Sequence, residues 1–122
     1  LIPRKKLMKK LILAIILLFS FSIQAQSSLN GLWDTGENNT NIEVSEKNNQ
    51  WVGLVKTSDA KEDIGMLILK NLKKDGDKST GKIYAPKRKQ WYDVEITVEK
   101  NNLDLKVNAG LFSKSLEWKR VQ

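Results

Sequence analysis

From Gly31 onward apolar side chains recur at every second position. Ile42 and Val44 alternate with Asn41, Glu43 and Ser45. Tyr92, Val94, Ile96 and Val98 alternate with Asp93, Glu95, Thr97 and Glu99; Leu103, Leu105 and Val107 alternate with Asp104, Lys106 and Asn108; Leu116 and Trp118 alternate with Glu117 and Lys119. A period of two places successive side chains on opposite faces of a strand, so each run is expected to bury one face and wet the other. The segment Trp51-Val52-Gly53-Leu54-Val55 is more continuously apolar. The pattern predicts strands near 31–35, 40–46, 50–57, 65–71, 78–84, 90–99, 102–108 and 113–121.

The fourth of these is ambiguous. Ile64, Leu67, Ile68 and Leu72 fit a helical stripe, whereas Ile64, Met66 and Ile68 fit a strand. Gly65 and the aliphatic run at 66–69 favour the strand, with a short helix over 64–72 as the alternative.

Turn chemistry separates the runs: Gly36-Glu37-Asn38-Asn39, Lys47-Asn48-Asn49, Asp75-Gly76-Asp77, Pro86-Lys87, Asn101-Asn102 and Asn108-Ala109-Gly110. Gly, Asn and Asp tolerate the positive backbone angles of tight hairpins. Short strands with regularly spaced turns predict an all-β antiparallel sandwich or barrel. No internal repeat or dividing linker is evident.

The first 25 residues follow a different plan. Arg4, Lys5, Lys6, Lys9 and Lys10 precede an apolar run from Leu11 to Ile23, and Ala25 supplies a small residue before Gln26. Basic start, short apolar core and small-residue exit describe a secretory signal peptide, with Met8-Lys9-Lys10 in the form of a natural start. The run is shorter than the roughly 20 residues a membrane span needs. Residues 1–25 are therefore expected to be cleaved, leaving one exported domain, 26–122, in the periplasm or outside the cell and without a transmembrane span. Its residues 26–30 are expected to form a loose arm.

Removing the leader changes the charge argument. The whole chain carries 21 basic and 14 acidic residues, but five of the basic ones lie in the leader. The remainder is nearly balanced, and global charge makes no case for nucleic-acid binding. The chain has no cysteine, so stability must come from burial and backbone pairing, with Trp33, Trp51, Trp91 and Trp118 the bulkiest core material.

Catalysis is not expected. The absence of His and Cys removes the commonest general base, the thiol nucleophile and the soft metal ligands. Neither Asp59, Glu62 and Asp63 nor Asp75 and Asp77 offers the oxygens that calcium requires. No metal or other cofactor is predicted.

Read in order, the motifs resemble an uncharacterised family of small exported bacterial proteins. That family's pattern runs Gly-x-Trp, a Gly-x-Leu-Leu-like segment, Gly-x-Ile-Tyr-Asp-Pro, a Tyr-led strand and a closing Trp-x-Arg. Here these read Gly31-Leu32-Trp33, Gly65-Met66-Leu67-Ile68-Leu69, Gly81-Lys82-Ile83-Tyr84-Ala85-Pro86, Tyr92 and Trp118-Lys119-Arg120. Ala85 replaces the family's Asp, and Lys87-Arg88-Lys89-Gln90-Trp91 replaces a turn that usually carries Gly. The two ends also resemble the calycins, the lipocalin and streptavidin-like barrels. The resemblance implies a single antiparallel up-and-down eight-stranded barrel, closed where the first and last strands meet. It further implies that Trp33, Trp118 and Arg120 seal one end, the Arg120 guanidinium lying over the Trp33 indole. The plainer alternative makes Trp33 a core aromatic and Arg120 a surface charge.

Such a barrel is filled by its own side chains or holds one small ligand. The expected inward set is Trp33, Ile42, Val44, Val55, Ile83, Tyr92, Val94, Ile96, Val98, Leu103, Leu105, Val107, Leu116 and Trp118. The expected function is a binding module for a small apolar or amphipathic molecule, with Trp51, Tyr84, Trp91 and Tyr92 near the mouth of the pocket. The alternative is a solid-core module that holds an anionic envelope component or a protein through the basic 87–91 hairpin.

Overall fold

A computed structural model describes residues 28–122; the leader, at 1–25, lies outside the described residues. Eight strands follow one another as β1 (Gly31–Asp34), β2 (Asn41–Lys47), β3 (Gln50–Thr57), β4 (Leu67–Asp75), β5 (Lys78–Ala85), β6 (Gln90–Glu99), β7 (Asn102–Ala109) and β8 (Phe112–Arg120). Each pairs antiparallel with the next, and β8 returns to β1, so the sheet closes into an up-and-down barrel. A single 3₁₀ turn, Lys61–Asp63, interrupts the β3–β4 connection.

Register explains why the alternation was informative. Trp33 stands opposite Ile42, Ile96 opposite Leu105, and Leu103 opposite Trp118, and all six are buried. The turns use the expected chemistry. Asn48 and Asn49 both have positive φ, 54° and 63°, between the paired Lys47 and Gln50. This is the two-residue hairpin geometry that matches strand twist.

β4 is where period two fails. Leu67 pairs with Leu54 but Leu69 pairs with Gly53, so one residue is added on the β4 side. A second irregularity falls between Lys70 and Lys73, with Asn71 at φ 57°. These β-bulges turn Ile68, Leu69 and Leu72 all into the core. The resulting spacing imitates a helical stripe, but the segment is a strand. The helix alternative for 64–72 is thereby replaced by a twice-bulged strand that starts at Leu67 and runs to Asp75.

Of the expected inward set, Tyr92, Val98, Val107 and Leu116 are only half-buried, while Leu29, Ile68, Leu69 and Leu72 join the core. Of the expected loose arm at 26–30, residues 26 and 27 lie outside the described residues, and 28–30 are held in place. Leu29 is 5% exposed, and the carbonyls of Ser28 and Asn30 both accept hydrogen bonds from Arg120.

Candidate functional site: a sealed floor and an open mouth

The barrel has two unlike ends. At one end the chain enters β1, and the β2–β3, β4–β5 and β6–β7 turns lie beside it. Here Trp33 is fully buried and its Nε1–H donates to the Leu29 carbonyl at 2.9 Å. The Arg120 guanidinium carbon lies 4.3 Å from the centroid of the Trp33 ring. Its two terminal nitrogens donate to Asn30 O (3.0 Å) and Ser28 O (2.8 Å). One planar fork thus stacks on an indole and fastens the entering backbone, a geometry lysine cannot reproduce. Trp118, 4% exposed, packs inside, and Trp51 donates through Nε1 to Asn30 Oδ1 at 2.9 Å. The result is a floor.

Gly31 belongs to that floor for a steric reason. A Cβ at this position would stand 2.7 Å from Arg120 Nη1, and φ is +143°, in the region that favours glycine. Gly31→Ala should therefore cost about 1–3 kcal/mol in urea unfolding. In a double-mutant cycle, Arg120→Met should remove part of that cost, because the guanidinium is what the new methyl would displace.

The other end is ringed by residues 35–40, 58–66, 86–89 and 110–111. Burial is uneven around the barrel: Met66, Tyr92, Val107 and Leu116, and Val98 and Trp51 toward the floor, pack against the core but remain partly exposed, whereas Ile42, Val55, Ile68, Leu69 and Ile83 are buried. Tyr92 stands opposite the buried Ile83, and its hydroxyl is 2.8 Å from Gln90 Oε1. Lys114 pairs with Val107 at an inward position and is exposed. Of the four aromatics expected near the mouth, Tyr84, Trp91 and Tyr92 stand at that end beside the 86–89 turn, and Trp51 does not. Trp51 lies on the floor. Tyr84 and Trp91 alternate out of phase with Ile83 and Val94, and so lie on the outer wall. There their rings are 5.1 Å apart, with Lys70 Nζ 4.1 Å from the Trp91 centroid. Only Tyr92 faces the mouth from within.

The two sides of the mouth differ in how they are held. On the β1–β4 side, the 35–40 and 58–66 loops are bonded together. Asp59 N–H donates to Asn38 O (2.9 Å), Asn39 Nδ2 to the Asp59 carboxylate (3.2 Å), and the Thr40 and Ser58 hydroxyls meet at 3.0 Å. On the β5–β8 side, the 86–89 turn closes on itself. The N–H groups of Arg88 and Lys89 donate to Ala85 O at 3.2 and 2.8 Å. Backbone thus closes the turn at the point where the resembling family carries Asp. Lys89 takes φ 54°, a conformation glycine adopts freely.

A further groove of about 440 Å³ lies outside the barrel at the floor end, lined by Glu46, Asn48, Asn49, Gln50, Trp51, Lys73 and Lys74. It is shallow and mainly polar in its side chains. Among the described residues no group of three or more His, Cys, Asp or Glu is placed to hold a metal ion.

With this geometry established, comparison with known proteins is informative. Residues 31–120 match the model of the family described as "uncharacterized protein conserved in bacteria (DUF2147)". The chain belongs to this family. The matched span opens on Gly31 and ends on Arg120, so the two halves of the floor are its limits. No curated protein matches the chain. Among solved structures the barrel is similar to protein HP1028 from the human pathogen Helicobacter pylori, described as belonging to the lipocalin family. The TM-score is 0.67 at 21% identity, over 80% of this chain and 85% of that one. At that identity the likeness speaks to fold, and the fold of this DUF2147 protein is a lipocalin-like eight-stranded barrel.

Proposed function

We propose that this DUF2147 protein binds one small apolar or amphipathic molecule through the open end of its barrel. The observation that carries the reading is incomplete burial of inward apolar side chains along β6–β8. The floor is stopped by Trp33, Trp118 and Arg120, whereas Met66, Tyr92, Val107 and Leu116 pack on the core with apolar surface partly uncovered. A closed floor and incompletely covered apolar side chains toward an open end are what a small-ligand barrel requires. The bulky lower core confines the ligand to the upper half. The lack of His and Cys removes the commonest catalytic groups, which favours binding over catalysis. The basic and apolar order of residues 4–23 supports export, so the proposed binding belongs outside the cytoplasm.

Gentle purification, organic extraction and mass spectrometry test the reading. An apolar or amphipathic compound should accompany the wild-type protein and be missing from Val107→Trp, which adds bulk at the partly covered inner face of β7. The variant should remain folded, at a cost of about 1–3 kcal/mol for overpacking. A barrel that is recovered empty every time, and that gives no enhancement of anilinonaphthalene sulfonate fluorescence, would falsify the proposal.

A further inference from the structure

The β5–β8 half of the rim is unlike the rest of the surface. Leu111 is 98% exposed and Phe112 is 78% exposed, at the tip of the β7–β8 hairpin. The turn itself needs only Gly110, at φ 71°, and any polar residue would serve beside it. Two large apolar side chains presented to water at one tip are not explained by packing.

The charges around that tip are of one sign. Residues 84–92 and 106–115 contain Lys87, Arg88, Lys89, Lys106 and Lys114 and no acid. Among the described residues none of these five is in an ion pair, whereas Lys56, Lys78 and Lys82 are. The β5–β6 and β7–β8 turns stand about two strand spacings apart, roughly 10 Å. Across the mouth the sign reverses. The 34–40 and 57–66 segments carry Asp34, Glu37, Asp59, Glu62 and Asp63 against the single cation Lys61. The rim is therefore polarised in charge, and its most exposed apolar pair, Leu111 and Phe112, is on the cationic side, with the 50% exposed Ile64 across the mouth.

We propose that the β5–β6 and β7–β8 tips form a docking surface for an anionic lipid bilayer. Leu111 and Phe112 enter the boundary between headgroups and acyl chains, while Lys87, Arg88, Lys89 and Lys114 meet the lipid phosphates. The acidic half of the rim is repelled by the same surface, which tips the barrel onto its cationic side. Trp91, partly exposed on the outer wall beside this turn with Lys70 against its ring, comes to lie near headgroup level. The docking needs no molecule inside the barrel, so it stands or falls independently of the binding proposed above.

Co-sedimentation with vesicles tests it directly. The full domain should bind vesicles of equimolar phosphatidylcholine and phosphatidylglycerol and ignore phosphatidylcholine alone. The triple variant Lys87→Gln/Arg88→Gln/Lys89→Gly should lose about 100-fold in partitioning, at about fivefold per cation. Leu111→Ser/Phe112→Ser should lose at least about 10-fold. All five positions are exposed, and an unchanged near-ultraviolet signal from the tryptophans confirms that the barrel is intact. Lys73→Gln/Lys74→Gln, at the floor end, should change partitioning by less than about twofold, since those charges stand away from the bilayer. Because the chain has no cysteine, Leu111→Cys can carry one environment-sensitive dye. Its emission should shift to the blue on anionic vesicles, and that of a dye on Asp77→Cys should not. Three results would each overturn the proposal: no binding to either vesicle, binding that survives Leu111→Ser/Phe112→Ser, or a dimer in solution that those two substitutions dissolve.

Discussion

Trp33→Ala is expected to cost about 3–5 kcal/mol of unfolding free energy, the scale of a large aromatic lost from a packed core. Three contributions vanish together. The indole is fully buried, its N–H satisfies the Leu29 carbonyl, and its face carries the Arg120 guanidinium. The surrounding floor is built of Trp118, Trp51 and a backbone segment already tied at three points, which leaves little freedom to collapse into the void. Since small domains hold only about 5–15 kcal/mol in total, the variant should unfold at a much lower urea midpoint. Trp33→Phe, which keeps most of the packing and loses the N–H, should fall between the two. A loss below about 1 kcal/mol for the alanine variant would mean that the floor does not depend on this side chain.

Gly81→Ala is the second large effect, at about 2–3 kcal/mol by the same measurement. Its cause lies in β4 rather than in β5. The second bulge presses main chain against Gly81, so that a Cβ there would meet Lys70 O at 2.7 Å, Leu72 Cδ2 at 2.8 Å and Asn71 O at 2.9 Å. Two of those atoms are backbone carbonyl oxygens, which cannot swing aside as a side-chain tip can. Accommodation would require the bulge to flatten, and flattening would turn Leu72 out of a core where it is fully buried. A stability within about 0.5 kcal/mol of wild type would show that the bulge is soft.

Strict alternation in β2, β6, β7 and the second half of β8 made those strands legible, because apolar and polar side chains fall on opposite faces without interruption. β4 was legible only as apolar. Its bulges break the period, and nothing in Leu67–Asp75 marks them except Asn71, one more Asn in a chain where that residue usually signals turns. Leu29 was missed because one apolar residue among polar neighbours has no period; its neighbours Ser28 and Asn30 are fastened by Arg120, far away in the chain. The aromatics expected at the mouth were chosen by type rather than by phase. Tyr84 and Trp91 are one position out of step with the inward set, which pairing shows and composition does not. Leu111 and Phe112 were passed over for a different reason. They fell between the expected turn at 108–110 and the expected strand at 113–121, and only the register, with Gly110 and Leu111 as the turn between Ala109 and Phe112, reveals a tip.

The pairing of β8 with β1 also has a bearing on how the molecule is made. Seven of the eight strand pairings join neighbours in sequence and can form as soon as a hairpin is available. The eighth, Trp33 with Arg120 and Asp34 with Lys119, spans the whole domain. A chain delivered from its amino end therefore exposes an unpaired edge on β1 throughout synthesis or translocation, and keeps it until the last strand arrives. The stacked arginine is thus a completion signal. Its arrival converts an open, sticky sheet into an edgeless one, and any chain cut short before residue 120 keeps the sticky form.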